Sequence, residues 1–264
     1  MLNGWLPLLT EMKISKSSNI STSAIIGKNV FIDDFCTIGA NVIIGDNCKI
    51  MSHVCISGDT KIGSNNIIYP FASIGTDPQD LKFKGENSKL IIGSNNKIRE
   101  YVTINPGTEH GGGLTTIGNN CLLMISSHVA HDCQVGDNVI IANNVPIAGH
   151  CIIENDAIIG GNSAVQQFCN IGKGAMIGGM TGVNKNILPY TLVTGNRCEY
   201  ENLNLIGLKR KGFDNKIISE YKKFIESIDI ISRKINNNQN VLINEAVNFL
   251  NKNNNKTICF PKFK

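Results

Sequence analysis

Isoleucine falls at positions 26, 32, 38, 44, 50, 56, 62, 68 and 74, nine residues in strict steps of six. The ladder resumes at Ile92, Ile98 and Ile104. It resumes again at Ile117 and continues through Leu123, Val129, Val135, Ile141, Ile147, Ile153, Ile159, Val165, Ile171 and Ile177 to Val183. Two residues before each rung sits a second small residue, as at Val30, Cys36, Cys48, Cys121, Cys133, Cys151 and Cys169, and glycine often follows the rung. A helix would need apolar residues about every 3.6 positions, which a step of six does not supply. Residues i−2 and i instead share one face of a short strand. The glycine and polar residues after them turn the chain. Three such strands close one triangular coil, so the twenty-four rungs predict eight coils of eighteen residues. Neighbouring coils are expected to stack by parallel hydrogen bonds about 4.8 Å apart. The expected architecture is an all-β parallel β-helix over residues 20–195, preceded by an extension over 1–19.

The ladder breaks twice. Between Ile74 and Ile92 lies a turn-rich, charged insertion near 76–89, and between Ile104 and Ile117 a glycine-rich one near 106–114. Loops that leave a rigid scaffold are where binding residues tend to sit. After Val183 the period fades through Pro189. From Asp214, a plausible N-cap, apolar residues recur at helical spacing: Ile217, Ile218, Tyr221, Phe224, Ile225, Ile228 and Ile231. The Asn-rich NNNQN reads as a loop and Val241 to Leu250 as a second helix. Residues 196–264 are therefore expected to form a C-terminal α-helical domain.

Composition narrows the setting. The chain has 264 residues, 42% of them apolar, which suffices for a substantial core. No apolar run of about 18 residues appears, so no membrane span is expected. The opening MLNGWLPLLTE lacks a basic leader and a small-residue cleavage site, so a signal peptide is not expected either. Six of the nine cysteines, at 36, 48, 121, 133, 151 and 169, occupy the inward i−2 position. They read as small buried hydrophobes rather than disulfides or metal ligands, which points to a cytosolic compartment. The net charge of +4 is concentrated in the tail: residues 197–264 carry 13 Lys/Arg against 7 Asp/Glu. A basic tail suits an acidic partner or a phosphorylated ligand.

Candidate chemistry centres on five histidines, of which His128, His131 and His150 fall in SSHVAHDC and AGHC. The rung there is Val129, so His128 and His131 lie off the inward pair and face outward or sit at a turn. A period of eighteen places Gly149 beside His131, Gln167 one coil further, and His150 beside Asp132. An imidazole next to a carboxylate is a good general base near neutral pH. A backbone N–H at an uncrowded glycine can stabilise an oxyanion. The arrangement suits acyl transfer. The i, i+3 spacing of His128 and His131 also fits joint metal ligation.

The segments SIGTDPQDLKFKGE, IREYVTINPGT, GGGLTTIG, LLMISSHVAHDC, IANNVPIAGH, QQFC, GGMTGV and NLIGLKRKGF, spread from about residue 20 to 215, resemble the UDP-N-acetylglucosamine O-acyltransferases of lipid A biosynthesis. The resemblance implies a left-handed β-helix and a cytoplasmic homotrimer with active sites between subunits. It also implies transfer of a 3-hydroxyacyl group from acyl carrier protein to the 3-hydroxyl of UDP-N-acetylglucosamine, with no cofactor, no metal and no nucleic acid. His131 matches the family's general base, Asp132 its partner and Gly149 the oxyanion amide. Asp80, Lys82, His128, His150, Gln167, Asn204 and Arg210, with Lys211 of the basic pair, match substrate contacts. Gly179 matches a position that limits acyl-chain length, and its small size implies room for a longer chain. Two departures stand out: Gln166 replaces the family's histidine, and the basic pair reads Arg210–Lys211. Lys209, Arg210 and Lys211 are expected to steer the acidic carrier protein or hold the diphosphate.

Three rivals compete with this reading. Another hexapeptide enzyme, the N-acyltransferase of the same pathway, would not need the long 76–89 insertion or GLKRKGF. A zinc-dependent protein of the γ-carbonic-anhydrase type would need a third well-placed histidine. A purely structural β-helix would not need His128, His131 and both polar loops together.

Overall fold

The computed structural model describes residues 13–228, 239–253 and 257–261. Ile231, the opening MLNGWLPLLTE and all but the last two residues of NNNQN lie outside them. Short strands, mostly of two residues, fall in turn into three parallel sheets of eleven, nine and ten strands, here called A, B and C. Up to Thr191–Thr194 each strand pairs in parallel with the strand three further along the chain, the signature of a three-sided left-handed β-helix. The register is eighteen residues, with Lys13 opposite Phe31 and Phe31 opposite Lys49. Where an insertion intervenes the register lengthens: Ile67 faces Lys97, and Thr103 faces His128.

The coil begins two rungs earlier than the isoleucine count from Ile26 implies. Strands Lys13–Ile14 and Asn19–Ile20 already pair with Phe31–Ile32 and Thr37–Ile38, so the first strand of the helix, Lys13–Ile14, lies within the expected extension over 1–19. Ile14 is 40% exposed, unlike the buried rungs that follow.

Rungs such as Ile32, Ile50, Ile68, Ile104, Ile141 and Ile177 are fully buried, each contributing about 1.5–3 kcal/mol of hydrophobic stabilisation. The i−2 column does more than fill space. The thiols of Cys36, Cys48, Cys121, Cys133 and Cys151 donate to carbonyls fifteen residues ahead, on the next coil, at 3.0–3.2 Å. Ser18 and Ser163 make the same bond with hydroxyls. The position thus selects small donors that satisfy a turn carbonyl from inside. None of the nine cysteines, all within the described residues, forms a disulfide.

Beyond Thr191–Thr194 the strand Glu199–Leu203 folds back antiparallel, and α1 (Leu205–Arg210), α2 (Asn215–Ser227) and α3 (Val241–Lys252) follow. The Asp214 carboxylate caps α2 by accepting from the Ile217 N–H at 2.9 Å. The tail is not purely helical, because Ile258–Cys259 returns to pair with Asn186–Ile187 of sheet C. That strand covers the open end of the coil, and Tyr221 donates its hydroxyl proton to Pro189 O to hold α2 on the same end. No helix among the described residues is long and apolar enough to cross a membrane.

Candidate active site

Both insertions leave the coil at the same edge, where sheet B turns into sheet C. The first follows Ser73–Ile74 and the second follows Thr103–Ile104. His131, Gly149 and Gln167 occupy that edge on successive coils, each just after a sheet B strand. The hexad frame thus brings both insertions and these three residues to one line.

At its centre His131 Nδ1 meets Asp132 Oδ2 at 2.8 Å. The Asp132 side chain is 1% exposed and that of His131 13%. Asp132 takes the left-handed backbone conformation, φ 59°, which turns its carboxylate back under the ring of the preceding residue. The second insertion then closes over it. The Thr108 N–H and hydroxyl donate to Oδ1 and Oδ2 at 2.8 and 2.7 Å, and the Asp132 N–H donates to Thr115 Oγ1 at 2.8 Å. A Cβ on Gly111 would run into the Asp132 carboxylate, so only glycine lets the loop approach so closely. A buried carboxylate with three donors stays where it is placed.

Gly149 lies against the other edge of the imidazole. A Cβ there would come within 2.6 Å of His131 Cε1 and 2.8 Å of Nε2. The neighbouring His150 N–H is bonded to His131 O at 3.0 Å, whereas the Gly149 N–H has no acceptor among the described residues. His150 stands edge-on to His131, ring centres 5.0 Å apart, with its Nδ1 3.8 Å from Asp132 Oδ2 and its ring stacked on Phe168. Burial pushes the His150 imidazole below its ordinary value, against the pull of Asp132. Burial does the same to His128, whose Nδ1 pairs with Thr103 Oγ1 at 2.7 Å. Asp80, on the first insertion, is held below the usual carboxylate range by the Lys82 N–H on its Oδ1, with further help from the imidazoles of His131 and His150. A cleft of about 750 Å³ runs from Gln79 and His131 past Gly149 and Gln166 to Arg197.

His128, His131, Gly149 and Gln167 therefore line one cleft, while Asp132 and His150 pack against His131 without lining it, and Asp80 lies next to Gln79 of the same lining. Lys82 is exposed and enters through its backbone. His128 and His131 do not share a ligand position. Among the described residues, the His, Cys, Asp and Glu side chains that bring three donor atoms within 4.8 Å of one another are His131, Asp132 and His150. Asn204, Arg210, Lys211 and Gly179 do not line this cleft. Asn204 caps α1, accepting from the Gly207 N–H and donating to Gly174 O, each at 3.0 Å. Lys211 is paired with Asp156 at 2.7 Å, so that charge already has a partner. Gly179 sits on the A–B edge, between Met176–Ile177 and Gly182–Val183. Thr103, Thr108, Thr115 and Gly111 carry roles that the hexad arithmetic could not assign. All four belong to the TINPGT and GGGLTTIG segments, whose register an insertion shifts.

Coil and edge together define a hexapeptide-repeat transferase. The family described as bacterial transferase hexapeptide matches residues 23–58, 43–76 and 114–149, and domain 2 of the UDP-N-acetylglucosamine O-acyltransferases matches residues 186–259. The acyl-[acyl-carrier-protein]–UDP-N-acetylglucosamine O-acyltransferase of Rickettsia conorii is 51% identical over 260 residues, covering 92% of this chain and 98% of its own length. The chain belongs to that O-acyltransferase family. Among solved structures, the UDP-N-acetylglucosamine acyltransferase of Francisella novicida superposes with a TM-score of 0.89 at 35% identity, covering 93% of both chains. The Bacteroides fragilis enzyme gives 0.86 at 41% identity, covering 93% of this chain and 99% of its own.

Proposed function

We propose that this chain transfers a 3-hydroxyacyl group from acyl carrier protein to the 3-hydroxyl of UDP-N-acetylglucosamine, the first step of lipid A biosynthesis, with His131 as general base. One observation carries the mechanism: the 2.8 Å contact between His131 Nδ1 and a buried, fully hydrogen-bonded Asp132, with Gly149 against the far edge of the ring. Asp132 accepts the Nδ1 proton and fixes the tautomer, leaving the Nε2 lone pair for the substrate. Nε2 takes the proton of the sugar 3-hydroxyl as that oxygen attacks the thioester carbonyl. The tetrahedral oxyanion accepts the Gly149 N–H. Collapse breaks the C–S bond, and the imidazolium returns its proton to the departing thiolate, so no net charge or atom is left on the protein.

Asp80, Lys82, His128, His150 and Gln167 are read as contacts to the sugar nucleotide. The site is read as shared between subunits of a cytoplasmic homotrimer. In support, the substrate residues named by family resemblance do not meet on one chain: His128, His131, Gly149 and Gln167 line the cleft at the B–C edge, Gly179 lies on the A–B edge, and Asn204 and Lys211 bond Gly174 and Asp156 on the C–A edge. Purified protein given UDP-N-acetylglucosamine and a series of 3-hydroxyacyl carrier proteins should yield the 3-O-acyl sugar nucleotide. Absence of that product with every donor, or acylation only of an amino sugar, would overturn the reading.

A further inference from the structure

Asn105 begins the second insertion yet reaches back to the first. It is 3% exposed, and its N–H is bonded to Val129 O at 3.0 Å, which fixes its backbone within sheet B. Its Nδ2 donates to Thr76 O at 3.1 Å and to Asp77 O at 3.2 Å, the carbonyls on which the first insertion leaves the coil. The orientation of this amide is not ambiguous. The flipped form would press Oδ1 against two carbonyl oxygens, which repel it. Oδ1 itself is buried with no hydrogen-bond partner among the described residues, which is unfavourable for the amide taken alone. The side chain is therefore set by the loop it holds and not by its own needs. Register places Asn105 beside Ala130, the cleft residue just before His131. Two and three residues beyond Asp77 come Gln79, which lines the cleft, and Asp80, whose carboxylate feels His131 and His150.

We propose that Asn105 is a positioning residue for the acceptor: it clasps the start of the 76–89 insertion so that Gln79 and Asp80 face the sugar nucleotide. The inference rests on the reading that Asp80 contacts that substrate. Asn105 does not touch His131, Asp132 or Thr108 in any described hydrogen bond, so the clasp acts on binding and not on the proton-transfer pair. A residue that acts through Asp80 must lose its effect once Asp80 is gone.

The test is steady-state kinetics with UDP-N-acetylglucosamine varied at saturating acyl carrier protein. Asn105→Ala should raise KM for the sugar nucleotide about tenfold and change kcat by less than about threefold. Asn105→Asp, which sets a carboxylate against the same two carbonyls, should raise it at least as much. Asn105→Ser, which keeps one donor, should give a smaller rise and serves if the alanine variant does not fold. The double variant Asn105→Ala, Asp80→Ala should be no worse than Asp80→Ala alone. An unchanged KM in both the serine and aspartate variants, a fall confined to kcat, or additive effects in the double variant would overturn the proposal. An unchanged KM in Asp80→Ala would instead overturn the reading of Asp80 on which it rests.

Discussion

On the C–A edge of the prism the left-handed corner position is filled by Asn29, Asn47, Asn65, Asn95, Asn120, Asn138 and Asp156, with φ between 55° and 64°. On the B–C edge the same position is filled by Asp132, His150 and Phe168, with φ between 59° and 63°. The backbone makes no distinction between them. Asn47 N–H donates to Lys28 O at 2.8 Å on one edge, as His150 N–H donates to His131 O at 3.0 Å on the other. On the C–A edge the residue is the one that tolerates a positive φ most readily, and Asn29 simply passes a hydrogen bond to Asn47 at 3.2 Å. On the B–C edge aspartate, histidine and phenylalanine take that conformation in turn, and the 18-residue stack sets carboxylate, imidazole and phenyl ring side by side. Placing chemistry in a strained conformation is a common feature of functional sites. The insertions sharpen the contrast, because both emerge at B–C and one of them contributes Thr108 to Asp132.

The comparison breaks if the two edges respond alike to substitution. The larger effect is expected at Thr108. Thr108→Ala removes the hydroxyl donor to Asp132 Oδ2 but leaves the N–H on Oδ1. A hydrogen bond to a charged group is worth about 1.5–3 kcal/mol, so kcat should fall about 10- to 100-fold while the melting temperature changes little. A turnover within about twofold of the parent protein would show that Asp132 needs no such support. The smaller effect is expected at Asn47. Asn47→Ala puts a Cβ without a compensating amide into the left-handed region, costing about 1 kcal/mol, which urea unfolding should register. Turnover should be unaltered, and a loss of activity there would mean that the C–A edge is not merely structural.

How much of this could be read from the sequence depends on whether the period of six was intact. Where it was, reading was direct: the rungs, the inward cysteines, and Gly149 and Gln167 one and two coils beyond His131 all follow from eighteen residues per coil. Where insertions intervened, the arithmetic lost its reference. Thr108 and Asp132 are 24 residues apart, and Thr103 faces His128 across 25, so neither partner could be computed. The ends were obscured for a different reason. Ile14 and Ile20 keep the step of six but are not fully buried, and Ile258–Cys259 joins sheet C from a distant segment with no repeat of its own. The basic tail also carried less information than its charge suggested, since Lys211 is engaged with Asp156.

The central claim is that His131, held by Asp132 and flanked by Gly149, is the base. The most direct test is to compare His131→Ala with the parent protein in the hydroxyacyl carrier protein assay, with thermal melting measured on the same samples. The account predicts a loss of about 10³-fold in kcat/KM with an unaltered melting transition, because the ring stands outside the core. Turnover within about threefold of the parent protein, in a variant that melts normally, would contradict it.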